Sequence, residues 1–214
     1  MAEVARVFHQ PGKGAGYRAN VDAIHLARFA TKKIARAAFD LGAGAGAVGL
    51  TLLELRGAAR VTFVEIDSEA CAFCSKNIAD RAIHDSTRVV EGDVLEAAEA
   101  NRGRADLVVC NPPYVEPGAG RAPLEPRRAR ARQGSLEHFV KAARLLVARR
   151  GRACFVYPAP SLTTLLSTLR ASCLEPKRVR LVHAKSISPA RIALVEAQAG
   201  KVGGLVIEPP LVEA

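Results

Sequence analysis

Between residues 35 and 157, short apolar runs alternate with longer amphipathic stretches at roughly 25-residue spacing, and that alternation confines the chain to a wound α/β sheet. Strands are expected at 35–41, 61–66, 88–91, 105–110 and 153–157, with helices at 47–55, 68–80, 94–100, 136–147 and 162–171. A further helix is expected from Val21, with Asp22 as its N-cap and Ile24, Leu26, Ala27 and Ala30 on its apolar face. Strands at 178–182, 192–196 and 205–207 complete the pattern. The last two are joined by a short glycine-containing connection, which predicts an antiparallel hairpin at the C-terminal end. The expected architecture is a single domain over 1–214: a lead-in over 1–35 with one helix, then a core over 36–214 built as a mostly parallel sheet with helices on both faces.

Aromatic residues are only 5% of the chain and Trp is absent, so Ala, Val and Leu must fill the interior. No run reaches the ~18 consecutive apolar residues of a membrane span, and residues 1–10 hold no signal-peptide-like stretch. A cytoplasmic protein with no membrane contact is therefore expected. Five cysteines, an odd number without a secretion signal, are read as reduced thiols. Cys71 and Cys74 are read as small apolar fillers on a helix, because a zinc site usually needs a second ligand pair at similar spacing and none is found. His9, His25, His84, His138 and His183 are scattered without ligand spacing and are read as structural or surface residues, so no metal is expected.

Open sheets of this kind bind ligands beyond the carboxyl ends of their strands. That rule selects four segments: 41–46, 65–67, Asp93, and 111–114. In the first, Asp40, Gly42, Ala43, Gly44 and Gly46 lead from a strand into a helix, where glycine lets the backbone turn and lets a ligand approach, and the helix N-terminus favours an anionic group. Alone this motif is weak: Gly44, Gly46 and Gly49 also satisfy G-x-G-x-x-G, so a nicotinamide or flavin enzyme is a rival reading. Glu65, followed by Ile66, ends the next strand, where a carboxylate can take both hydroxyls of a ribose. Asp93, followed by Val94, can accept from an adenine amino group, cap a helix, or do both.

Asn111-Pro112-Pro113-Tyr114 separates the rivals. An exocyclic amine on a heteroaromatic ring, or an amide nitrogen, is a poor nucleophile because its lone pair is delocalised. The Asn111 side-chain oxygen and the Pro112 carbonyl are candidate acceptors that draw such a nitrogen towards a tetrahedral shape and aim its lone pair. The prolines stiffen the segment and remove competing N–H groups, and Tyr114 offers a flat face for a planar substrate, where base stacking is worth ~1–3 kcal/mol. Attack on a sulfonium methyl needs alignment more than base strength, and a hydride-transfer enzyme has no use for this loop. Asn111 also falls within reach of the cofactor set.

Net charge is +10, and residues 115–152 hold ten basic residues against three acidic ones. An excess placed directly after the candidate catalytic loop suits a polyanion. Lys13, Arg18, Arg121, Arg127, Arg128, Arg130 and Arg132 are the candidate RNA contacts.

These motifs together resemble class I methyltransferases that act on amino nitrogens. The segments Gln10-Pro11, Gly16-Tyr17-Arg18 and Asp22-Ala23, with the tail Ser188-Pro189-Ala190-Arg191 and Glu208-Pro209-Pro210-Leu211, are similar to the bacterial tRNA (adenine-N6) methyltransferases, whose known member modifies the adenosine 3′ of the valine tRNA anticodon. The resemblance spans nearly the whole chain. It implies a Rossmann-like fold with a seven-stranded sheet, S-adenosylmethionine as cofactor, and adenosine N6 in a tRNA as methyl acceptor. Where family members tend to carry Ala-Arg-His-Glu, this chain has Arg128-Ala129-Arg130-Ala131-Arg132-Gln133. Two other methylation targets use the same loop: a protein glutamine amide and guanine N2 of rRNA. Glutamine-modifying enzymes carry a helical domain ahead of the core, for which the lead-in here is too short.

Overall fold

The computed structural model describes residues 8–10, 21–113, 135–200 and 202–213. Five parallel strands make the centre of one sheet: β1 (Ala38–Leu41), β2 (Val61–Glu65), β3 (Thr87–Glu91), β4 (Ala105–Cys110) and β5 (Val147–Pro158). Their spatial order is β3-β2-β1-β4-β5, so the chain winds outwards from β1 in one direction, then returns and winds outwards in the other. The direction switches between β1 and β4, whose last residues Leu41 and Cys110 are register partners.

The strands are apolar almost throughout because both faces are covered. Within β4, Leu107 and Val109 join one buried cluster while Val108 and Cys110 join the other. The first cluster faces α1 (Val21–Ala30), α2 (Ala47–Glu54) and α3 (Ser68–Ala79); the second faces α4 (Val94–Ala100), α5 (Leu136–Leu146) and α6 (Leu162–Ala171). Gly49 explains how closely α2 lies on the sheet: a Cβ there would sit 2.4 Å from the Phe63 ring. The glycine that mimics a dinucleotide signature therefore serves helix–strand packing.

β6 (Glu175–His183) and β7 (Ala190–Gln198) form an antiparallel hairpin towards the C-terminal end, one strand earlier than expected, with β7 inserted between β5 and β6. One detail differs from expectation. The segment expected as the hairpin's second arm is β8 (Val206–Ile207), and it pairs in parallel with β6, as does β9 (Leu211–Val212). Both edges of β7 are already occupied, so the returning chain reaches only the free edge of β6. These two short strands bring the sheet to nine. β1 is also shorter than expected; of its lead, only Ala35 makes a bridge, to Ala58.

α1 is part of the core. Leu26, Ala27 and Ala30 are fully buried, and the helix is held at both ends by arginines from distant strands. At its start, Arg191 Nη1 donates to Asp22 Oδ1 at 2.6 Å. Asp22 lies inside the first turn, 5% exposed, rather than ahead of the helix as the expected N-cap. At its other end, Arg178 Nη2 donates to the Phe29 carbonyl and Arg152 Nη2 to the Ala30 carbonyl, both at 2.8 Å. Guanidiniums suit carbonyls at a helix C-terminus, which carry the negative end of the helix dipole. Arg178 also stacks on the Phe29 ring at 3.7 Å.

Candidate active site

The loop after β1 owes its shape to three glycines with positive φ: Gly42 (67°), Gly44 (54°) and Gly46 (86°). L-residues rarely adopt this region. The Gly42 and Ala43 N–H groups both donate to the Val64 carbonyl, tying the loop to the end of β2. Gly46 precedes α2 and gives it no side-chain cap, so the first N–H groups of the helix lack that partner. The Gly49 N–H donates to Asp40 at 2.8 Å.

Asp40 is 1% exposed and turned beneath the loop. Burial, opposed by the Gly49 hydrogen bond and reinforced by the Glu65 charge, pushes its carboxyl up to about 7. It was expected among the cofactor contacts; this position makes it a brace between β1 and α2, acting on the loop from below.

Glu65 Oε2 accepts from the Gly44 N–H at 2.8 Å, while Oε1 accepts from the N–H groups of Ile66 (2.8 Å) and Asp67 (3.0 Å). A carboxylate has about four acceptor positions. Three are thus engaged with backbone, and the last lies on Oε2. Ile66 stands 46% exposed beside it.

Asp93 caps α4, its Oδ1 accepting from Leu95 and Glu96 N–H groups at 2.8 and 3.3 Å. Its Oδ2 lies 2.8 Å from His138 Nε2 on α5. Burial raises the Asp93 carboxyl, but the His138 hydrogen bond, the two backbone N–H groups and the imidazole charge outweigh it, and the net shift is downward. Val94 is buried in the core behind the cap. His138, expected to be structural or surface, has a structural role here, holding Asp93, and the sequence did not show that pairing. Its 45-residue separation from Asp93 left no local signal.

Asn111, 8% exposed, follows β4 and faces the same pocket as the glycine loop. That pocket is lined by Ala23 of α1, Gly42, Ala43 and Ala45 of the loop, Ala47 and Val48 of the α2 N-terminus, and Asn111. Pro112 is buried and Pro113 half-buried. Tyr114, Lys13, Arg18, Arg121, Arg127, Arg128, Arg130 and Arg132 lie outside the described residues. The structure brings together the ends of β1, β2, β3 and β4, as the carboxyl-end rule requires, at the point where the strand order reverses.

The lead-in reaches this region too. Asn77, fully buried on α3, accepts from the His9 N–H at 2.8 Å and donates to the His9 carbonyl and to the Ala45 carbonyl at 2.9 and 3.0 Å. One amide thus joins the lead-in to the glycine loop.

The basic residues of 115–152 do not all lie near the catalytic loop. Of the ten basic residues in 115–152, Arg149 and Arg150 sit at the start of β5, on the sheet edge opposite the pocket. Arg152 is 7% exposed and faces Glu196 at 3.8 Å. These three are remote from the catalytic loop because β5 carries them to the far end of the sheet.

Four of the five cysteines behave as filler, and Cys173 is exposed. Cys71, Cys74, Cys110 and Cys154 are buried, and burial pushes the Cys71 and Cys154 thiols up to about 12.

Residues 19–156 match the family described as methyltransferase small domain. The chain belongs to that family. Among curated relatives, a tRNA1(Val) (adenine(37)-N6)-methyltransferase of Shewanella putrefaciens is 33% identical over 193 residues, covering 86% of this chain and 80% of the relative. One of the same name from Shewanella amazonensis is 31% identical over 200 residues, covering 90% and 83%. The enzyme thus belongs with these relatives along most of its length. Among solved structures, a protein described as a predicted O-methyltransferase of Agrobacterium tumefaciens aligns with TM-score 0.71 at 24% identity, over 90% of this chain and 87% of that one. The tRNA m1G37 methyltransferase of M. jannaschii aligns with TM-score 0.58 at 17% identity, over 83% and 49%. These two likenesses establish the methyltransferase fold. Among the described residues, no helix of the enzyme is long and apolar enough to cross a membrane.

Proposed function

We infer that the enzyme transfers a methyl group from S-adenosylmethionine to the exocyclic N6 of an adenosine in tRNA. The observation that carries this reading is the shared pocket: Asn111, the first residue of the Asn-Pro-Pro loop, faces the glycine loop and the first residues of α2 across one small space. S-adenosylmethionine supplies an electrophilic methyl on a sulfonium, and its carboxylate, ribose and adenine find chemically matched groups here. At the N-terminus of α2, Asp40 takes the Gly49 N–H and Gly46 supplies no side-chain cap, so the earlier N–H groups of Ala47 and Val48 suit the carboxylate. Glu65 Oε2 retains an acceptor position for a ribose hydroxyl, and Asp93 at the end of β3 suits the adenine amino group.

In this reading the side-chain oxygen of Asn111 and the carbonyl of Pro112 accept the two amino hydrogens and orient the nitrogen lone pair. Pro113 stiffens the segment and Tyr114 supplies the stacking face. Asp40 and Asn77 hold the glycine loop from beneath. The choice of adenine N6 in tRNA over an amide or guanine N2 follows the names of the relatives and the arginine content of 114–134. Lys13, Arg18, Arg121, Arg127, Arg128, Arg130 and Arg132 are proposed as backbone contacts to that RNA, in a cytoplasmic enzyme of one domain.

Incubating the protein with labelled S-adenosylmethionine and total tRNA, then resolving digested nucleosides by mass spectrometry, is expected to show label in N6-methyladenosine. Label in a guanine nucleoside, or in no RNA, refutes the reading.

A further inference from the structure

The sheet edge opposite the pocket concentrates unpaired positive charge. β1, β2, β4 and β5 run in the same direction, so the segments leading into them share that edge. Hydrogen bonds hold these leads side by side. The Ala35 N–H donates to the Gly57 carbonyl at 2.9 Å, the Asp106 N–H to the Ala37 carbonyl at 3.0 Å, and the Gly103 N–H to the Leu145 carbonyl at 2.9 Å.

On this edge Lys33, Arg56, Arg60, Arg104, Arg149 and Arg150 are all exposed, and among the described residues none of the six has an ion-pair partner. Lys32, Arg36 and Arg102 stand with them, each beside one carboxylate. The start of β5 adds to the projection. The register advances five residues along β5, from Val147 to Arg152, for two along β4, so Arg149 and Arg150 are thrust out in a bulge. Gly151 closes it, because a Cβ there would lie 2.5 Å from the Ala105 carbonyl oxygen.

Four adjacent strands at ~4.8 Å spacing make this row about 15 Å wide. A row of that width faces several phosphates of a nucleic-acid backbone, which in a DNA duplex carries a charge about every 1.7 Å of axis. Residues 114–134, which follow Pro113 in the sequence, hold five arginines against two glutamates, a smaller excess than the six unpaired cations of the edge.

We propose that this edge is a second RNA-binding surface, which takes the phosphate backbone of a structured RNA away from the nucleotide being methylated. The choice of RNA as polyanion rests on the function inferred above. β2 and β4, of five and six residues, separate edge and pocket by about 17–20 Å, and the two lie at opposite ends of the strands, so an RNA that reaches both must pass around the domain rather than span that distance directly, which an isolated stem-loop held at the pocket does not do. An acidic protein docking on the neighbouring exposed Ile34 and Leu55 is the rival occupant.

The test compares the wild type with a Lys33→Gln, Arg60→Gln, Arg104→Gln, Arg149→Gln, Arg150→Gln variant, and with an Arg149→Gln, Arg150→Gln variant should the first unfold. Filter binding of total tRNA is measured from 50 to 200 mM salt, with S-adenosylhomocysteine affinity as the control for an intact pocket. The five-fold variant is expected to bind tRNA at least about tenfold more weakly at low salt and to lose several units of salt slope. Its S-adenosylhomocysteine affinity and its turnover on an isolated anticodon stem-loop are expected to stay unchanged. Unchanged tRNA affinity and slope overturn the proposal. An equal loss on the stem-loop overturns it as well, since the edge then touches only the target arm. The binding titration is scored whether or not that tRNA becomes methylated. A protein that binds tRNA through this edge but never labels adenine N6 refutes the inferred function and leaves the surface standing.

Discussion

His138 Nε2 lies 2.8 Å from Asp93 Oδ2, joining the first turn of α5 to the cap of α4 beyond the end of β3. The other carboxylate oxygen caps α4, so one side chain holds two helices in register.

That arrangement predicts an acid limit. The Asp93 carboxyl is held below its ordinary value of 3.8, chiefly by His138 and the two backbone N–H groups acting against burial. A depressed carboxylate stabilises the fold above its unfolded value, and that contribution is lost as pH falls through the lowered folded value. His138→Ala is expected to move the loss to higher pH in thermal unfolding scans between pH 5 and 3. Asp93→Ala also removes the cap, at a cost of about 1 kcal/mol, and weakens S-adenosylhomocysteine binding. Identical acid unfolding of His138→Ala and wild type counts against the linkage.

Asp40 predicts the opposite slope. Its carboxyl is raised to about 7, mainly by burial. A raised value means stability fully present below the unfolded value near 3.8 and lost as pH rises through about 7. Asp40→Asn is expected to flatten that decline while still accepting from the Gly49 N–H. Denaturant melts at pH 5 and pH 8 measure it; a decline as steep in the variant as in the wild type contradicts the assignment.

Asn111 and Glu65 are expected to separate chemistry from binding. Asn111→Ala should keep S-adenosylhomocysteine affinity in calorimetry and lose most turnover. Glu65→Ala should weaken cofactor binding first. It also strips acceptors from the N–H groups of Gly44, Ile66 and Asp67, where each stranded donor costs roughly 1 kcal/mol or more. Normal turnover in Asn111→Ala would falsify the acceptor scheme.

Arg178 is expected to be the most costly side chain to truncate. It contacts the Phe29 carbonyl, Glu196 at 2.8 Å and Glu208 at 3.2 Å. Arg178→Ala should destabilise by about 3–5 kcal/mol, because Glu196, 7% exposed, then keeps only the neutral Gln198 amide at 3.3 Å and, among the described residues, Arg152 at 3.8 Å as its one cation. The Arg178→Met, Glu196→Leu pair should recover most of that loss in urea melts.

The alternation of apolar runs is local, so the order of strands and helices was legible, and some bounds with it: Ala105–Cys110 and Val94–Ala100 fall where periodicity places them, whereas β5 begins at Val147, six residues before the expected start, because its bulged lead pairs with β4. The glycine loop was legible for the same reason, since positive φ at Gly42, Gly44 and Gly46 is a property of residue type. Contacts between segments far apart in the chain were not. Nothing near Arg191 or Asp22 announces a bond across 169 residues, and nothing near Val206 says that β7 has no free edge. Asp40 and Glu65 read alike as strand-end carboxylates, yet one lies beneath the loop and the other at its rim.

The sequence by itself determined which chemistry-bearing residues stand at strand ends, because backbone period and turn chemistry are written in neighbouring residues. Only the tertiary structure decided which of them meet: that Asn111 faces Ala43 across one pocket, that His138 holds Asp93, and that Arg149 and Arg150 stand on the opposite edge. Those relations depend on the order in which strands pair and on which helix covers which face. Both are settled by burying all the apolar faces at once, a condition no local stretch of sequence contains.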